Sequence, residues 1–379
     1  MSNKSDDGQN LGGVLIRVAS VTDLAATRKN FLDQAVILGI DQFIEVTEEN
    51  DGLAIRFRLF PATRDEVAPA YDTLHLCEKL NLNTLANRTD LEKEILLAML
   101  LGPVTFEYPS YAELAASVRI RQYVVEAARR TALSFHPHKI ERPADYWTYS
   151  RDSGFTVLPG KSLIEALRKA TQPEISGHLY AFSCYRASEY VVLLGIAQEL
   201  ANSNPELLQR LQRQWESEAL VSEQFQGIFL REYGSMINPL PPKYYVPGDR
   251  LWFRNPHEPS SDVTGYEGSW VFYLGNGLFN NFWKCDEPYS MIEKCVEIYH
   301  WRDGVYQDTD GKLQMDESVV EERSRATIGD PVELERVLGC IMRLRDKFGV
   351  YADGGCIDTT REYPRWVCSG TSDIILPDS

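Results

Sequence analysis

An α+β fold is predicted by three observations. A long apolar helical run, YRASEYVVLLGIAQELA, follows directly on a single cysteine at 184; an aromatic hairpin, WVFYL-GNG-LFNNFW, comes later; and a leading segment alternates strand and helix patterns. In chain order, GVLIRVA (13–19) reads as a strand, 22–38 as a helix, and LAIRFRLF (53–60) as a half-buried strand with alternating polarity. Residues 1–90 are accordingly set apart as a small α/β appendage. LEKEILLAML reads as helical, LGPVTFEYP breaks it, and in YAELAASVRIRQYVVEAARRTAL an apolar stripe runs through Tyr111, Leu114, Ala115, Val118, Val125 and Ala128. YWTYSRDSGFTV (146–157) predicts a hairpin and KSLIEALRKA (161–170) a helix. A charged helical stretch covers 205–232, and a proline-rich loop leads into the short strand DRLWFRN. At Asn276-Gly277 the hairpin turns on a dipeptide that accepts positive φ angles.

Composition excludes several classes of function. Among 379 residues, 39 Lys and Arg face 55 Asp and Glu, a net charge of −16, and the basic residues are scattered. A clustered basic surface for nucleic acid is missing from that pattern. No apolar run reaches the length of a membrane span, and the polar start MSNKSDDGQNLGG lacks the pattern of a secretory signal, so a soluble cytoplasmic protein is expected. Release by another route, or incorporation into a spore or other coat, is compatible with this. The seven cysteines (77, 184, 285, 295, 340, 356 and 368) form no CxxC pair and no His/Cys cluster at zinc spacing. No disulfide framework, metal or cofactor is implied, and Cys340, Cys356 and Cys368 read as structural, with an exposed Cys356 thiol behind its two glycines as the alternative.

The chemistry turns on Cys184. With Ser183 as the N-cap, the cysteine occupies the first turn of the helix, where unpaired N–H groups and the helix dipole lower a thiol pKa. Papain-like enzymes use this arrangement, with a base arriving from later strands. A cysteine at the start of an apolar helix is equally compatible with plain packing, and position alone leaves both readings open.

Seven blocks in order carry a resemblance. GPVTFEYPSYAEL (102–114), VVEAARRTAL, DYWTYS (145–150), YAFSC (180–184), PGDRLWFRNP (247–256), YEGSWVFYLG (266–275) and RATIGDPVELERVL (325–338) resemble the bacterial spore-coat protein-glutamine gamma-glutamyltransferases, calcium-independent transglutaminases. The resemblance runs from about 92 to 338. It implies a papain-like or NlpC/P60-like cysteine-enzyme core over 91–338, with 339–379 as a C-terminal extension. It also implies that Cys184 is the nucleophile.

Three positions depart from the family. Ser183 stands where the family has a glutamate, and Ser269 falls on the family's second glutamate when the chains are matched at Leu274-Gly275. Asn281, beside Asn280, stands where the returning strand carries a histidine. Glu267, two residues before Ser269, is a candidate replacement for the lost carboxylate. Of the six histidines, at 75, 136, 138, 178, 257 and 300, His257 and His178 lie near enough in sequence to be candidate bases. The implied reaction is acyl transfer: Cys184 forms a thioester with a protein glutamine, ammonia leaves, and a lysine amine completes an isopeptide cross-link. The aromatics Trp252, Trp270, Phe272, Phe279, Phe282 and Trp283 are candidates for walls that exclude water. A glutamine deamidase, a thiol peptidase using the same cysteine, or a non-catalytic binding module are the alternatives. Protein substrates bearing glutamine and lysine are the implied partners.

Overall fold

The structure, a computed structural model, describes residues 12–134, 140–346 and 354–377. The leading part comprises β1 (Gly13–Arg17), α1 (Val21–Ile37), β2 (Ile44–Glu49), β3 (Ala54–Leu59), α2 (Pro61–Val67), α3 (Leu76–Leu80), α4 (Arg88–Leu100) and β4 (Thr105–Tyr108). The middle is helical around one short hairpin: α5 (Tyr111–Arg130), β5 (Trp147–Ser150), β6 (Gly154–Val157), α6 (Leu163–Thr171), α7 (Pro173–Ser176), α8 (Cys184–Ser203), α9 (Pro205–Ser217) and α10 (Ser222–Phe229). The last part holds β7 (Leu230–Gly234), β8 (Arg250–Arg254), α11 (Glu258–Ser261), β9 (Gly268–Gly275), β10 (Leu278–Phe279), β11 (Tyr289–Ser290) and α12 (Met291–Gly304). It closes with β12 (Val305–Gln307), β13 (Leu313–Met315), α13 (Glu317–Gly329), α14 (Pro331–Ile341) and β14 (Thr360–Pro364). The chain is thus a mixed helix and sheet fold.

Two sheets organise it. The smaller has strand order β2-β3-β1-β4, and β4 joins β1 in parallel, so LGPVTFEYP carries a strand as well as a break. Phe106 and Tyr108 of β4 are buried, which supplies the apolar drive for that pairing. β3 is buried almost throughout rather than half-buried, because it is an interior strand of this sheet. Its Arg56 is accommodated by pairing with Glu49 at 2.5 Å and by donating to the Gly12 carbonyl and the Thr105 hydroxyl.

The larger, six-stranded sheet runs β11-β10-β9-β8-β14-β7. Side chains alternate across β9 and divide the core. Phe272 and Leu274 join one cluster with Tyr190 and Leu194 of α8 and Val124 of α5. Val271 and Tyr273 join the other, with Val296 of α12 and Val337 of α14. The first cluster continues into Val14, Phe57 and Leu97, so the leading sheet and the central helices share one core. The hairpin turns as expected on Asn276 (φ 54°) and Gly277 (φ 70°), but its returning strand is only two residues long. Asn280 leaves the strand and accepts the Phe272 N–H through its side chain at 2.6 Å.

Candidate active site

Cys184 is the first residue of α8, and Ser183 is its N-cap, with Oγ accepting the Arg186 N–H at 3.2 Å. The first N–H groups of a helix have no helical acceptor. Here the Tyr185 N–H turns to the Cys184 sulfur, and the Trp270 N–H of β9 meets it from the sheet. The entrance of α8 is held there by stacked groups. The Tyr185 ring meets Trp270 edge-on at 5.2 Å, Trp270 stacks on Trp252, and the Arg250 guanidinium lies 3.9 Å from the Trp270 ring centre. Arg250 also pairs with Glu362 of β14 and donates to Ser188 of α8 at 2.7 Å. Helix, sheet and C-terminal strand are thereby tied together beneath the cysteine.

A cavity of about 670 Å³ opens in front of the thiol. Ser183, Cys184, Glu267, Ser269 and Asn281 all line it, so five residues singled out in the sequence converge. Glu267 is exposed just before β9, and its carboxylate accepts the Gly265 N–H at 3.1 Å. Asn281 is committed to its own loop: Oδ1 accepts the N–H groups of Trp283 and Lys284, and Nδ2 donates to the Glu287 carbonyl. His257 does not line the cavity. It caps α11, its Nδ1 lies 3.0 Å from the Ser260 hydroxyl, and burial together with Arg302 lowers its pKa. His178 is exposed and packs on Tyr180. Among the described residues no histidine lines the cavity; His136 and His138 lie outside them. Of the aromatic wall candidates, Trp252, Trp270 and Trp283 face the cavity, whereas Phe272, Phe279 and Phe282 are core residues. Cys356 is also in the core, its sulfur 3.5 Å from that of Cys295, and is not the exposed thiol its glycines suggest.

The electrostatics differ from the helix-start expectation. Burial pushes the Cys184 thiol above its ordinary value, and the Trp270 N–H, Lys294, the Tyr185 N–H and Arg250 oppose this without reversing it. Desolvation therefore outweighs the helix dipole. Lys294, from the first turn of α12, is the residue the sequence did not reveal. It is 3% exposed, lines the same cavity, bonds Glu297 at 3.0 Å and lies over the Tyr289 ring at 4.0 Å. Burial opposes its charge, but Glu297, Tyr289 and the bond to Glu297 outweigh burial and raise its pKa, so the ammonium persists. No local pattern in MIEKCVEIYHW distinguishes it from a solvated lysine.

A family model described as protein-glutamine gamma-glutamyltransferase matches residues 75–303. Among solved structures, the transglutaminase from Geobacillus stearothermophilus (without C-terminal extension) is similar at 18% identity and a TM-score of 0.39, over 57% of this chain and 98% of that one. No curated protein matches the chain.

Proposed function

Because the chain belongs to the protein-glutamine gamma-glutamyltransferase family, we propose that Cys184 is the nucleophile of a transglutaminase reaction run in the cavity at the start of α8. The chain is a transglutaminase-like enzyme, and its family acts on protein glutamine and lysine. The observation that carries the finer reading is the meeting of Cys184, two backbone N–H donors and a carboxylate, Glu267, around one cavity. A cysteine at a helix start against an antiparallel sheet also supports a papain-like core over 91–338. The flanks 1–90 and 339–379 are proposed to support that core rather than carry chemistry.

The Cys184 thiol gives its proton to solvent and the sulfur attacks the carboxamide carbon of a glutamine, and the Tyr185 and Trp270 N–H groups receive the developing oxyanion. The C–N bond breaks, the nitrogen takes a proton from the solvent side and leaves as ammonia. A thioester remains. An incoming lysine ammonium loses one proton to solvent, and the neutral amine attacks the thioester, passes a second proton to Glu267 and releases the thiolate. The cavity carries Glu267, Glu287, Glu293, Glu297, Glu317 and Glu321 against Lys284, Lys294 and Arg325, a balance that favours a cationic amine as acceptor. Ser183 serves as the cap, Ser269 and Asn281 shape the wall, and His257 takes no step.

The test is incubation with a glutamine-bearing casein and a fluorescent primary amine. The wild-type protein is expected to incorporate label and release ammonia, and Cys184→Ala to do neither while keeping its circular dichroism. Label retained in Cys184→Ala sinks the scheme, and ammonia without label from the wild type makes the protein a deamidase. Glu267→Gln is expected to lower amine incorporation by roughly a hundredfold, the common scale for a lost general base.

A further inference from the structure

We propose that Lys294 is the counter-ion of the Cys184 thiolate, a positioning residue that offsets part of the cost of ionising the nucleophile in a cavity lined by no described histidine. This rests on Cys184 being the nucleophile. Both side chains line one cavity, Cys184 from α8 and Lys294 from α12, and their charges are coupled across it.

Lys294 occupies an unfavourable place for a lysine. It is buried, and it sits in the first turn of a helix whose capping box of Ser290 and Glu293 presents the positive end of the dipole. A structural ion pair with Glu297 does not explain the burial, because the pair is lopsided: the lysine side chain is 4% exposed and the glutamate 26%. Water screens the carboxylate more than the ammonium, so a net positive field remains at depth, where the sulfur lies. The other groups facing the sulfur are accounted for. The Tyr185 and Trp270 N–H groups come from α8 and β9, and Arg250 of β8 is paired with Glu362. Tyr289 of β11 underlies the ammonium, and the carboxylates of Glu267, Glu287 and Glu293 stand at the exposed rim.

The thiol proton passes to solvent as the sulfur ionises for attack, and the ammonium meets the charge that forms. After acyl transfer the thiolate returns to the same ammonium.

The experiment is alkylation of the full chain by iodoacetamide across pH, with modification at Cys184 followed by peptide mass spectrometry; no turnover is needed. In Lys294→Met the midpoint is expected to rise by about one unit or more, leaving roughly tenfold less thiolate at neutral pH, and Lys294→Arg is expected to restore it. Lys294→Gln removes the charge but keeps a polar side chain at that depth, and its midpoint is expected to rise in the same way. An unchanged midpoint in folded Lys294→Met overturns the proposal. Should that variant fail to fold, an unchanged midpoint in Lys294→Gln overturns it instead. Failure of the transglutaminase reading is separate, since it appears as amine incorporation that survives Cys184→Ala.

Discussion

Glu94 of α4 is fully buried, yet it accepts the Asn276 N–H at the tip of the hairpin at 3.0 Å and the Tyr273 hydroxyl at 3.0 Å. Burial raises its pKa, against the pull of Cys77, the Asn276 N–H, Tyr273 and Arg129. A group whose pKa is higher folded than unfolded contributes stability that is complete below the ordinary carboxylate range and is lost as pH rises through the folded value. Glu94→Gln fixes the neutral form. At pH 5 it is expected to cost no more than about 1 kcal/mol, one hydrogen bond, and to reduce the fall in thermal midpoint between pH 5 and pH 8. An undiminished fall in the variant removes Glu94 from the pH dependence. Cys184 obeys the same rule that burial penalises charge, which is why its position at a helix start does not by itself make a thiolate.

At the scale of elements, α8 is buried on every side through its middle turns, which marks it as the central helix rather than a surface one. It crosses α5 at Gly195, where an added Cβ would lie 2.7 Å from Val124 Cγ2 and 3.3 Å from the Val124 backbone nitrogen. Two effects compete in Gly195→Ala. Helix propensity favours alanine by about 1 kcal/mol, whereas overpacking a tight crossing costs about 1–3 kcal/mol. Net destabilisation of up to about 2 kcal/mol is expected by urea unfolding; a more stable variant would show that the helices separate freely. The hairpin is constrained in a similar way from below. A Cβ on Gly275 would approach Glu94 Oε2 to 2.4 Å, and Gly275 has φ 83°, so the turn demands glycine there on two counts.

For the molecule as a whole, the C-terminal segment completes the central sheet. β14 lies between β7 and β8, pairs with β7 from Thr360↔Gly234 to Pro364↔Leu230, and supplies Glu362 to Arg250. Beyond it, Glu113 of α5 accepts the N–H groups of Val367 and Cys368 and the Thr371 hydroxyl. A chain ending at Ile341 is therefore expected to lose cooperative thermal unfolding and Cys184 alkylation at its native rate; a sharp native-like transition would show that β14 is dispensable. What the sequence determined by itself was local or carried by ordered blocks: the cap and cysteine at 183–184, the Asn276-Gly277 turn, and the family. These were legible because caps and turns depend on a few adjacent residues, and because seven blocks in order are specific. Tertiary structure alone decided the rest. Lys294 and Glu297 reach the cavity only because α12 packs behind β9, the net direction of the Cys184 pKa follows from how much water that packing removes, and β14 finds its place by pairing across the chain. Each depends on burial and long-range contact, which the order of residues along the chain does not display.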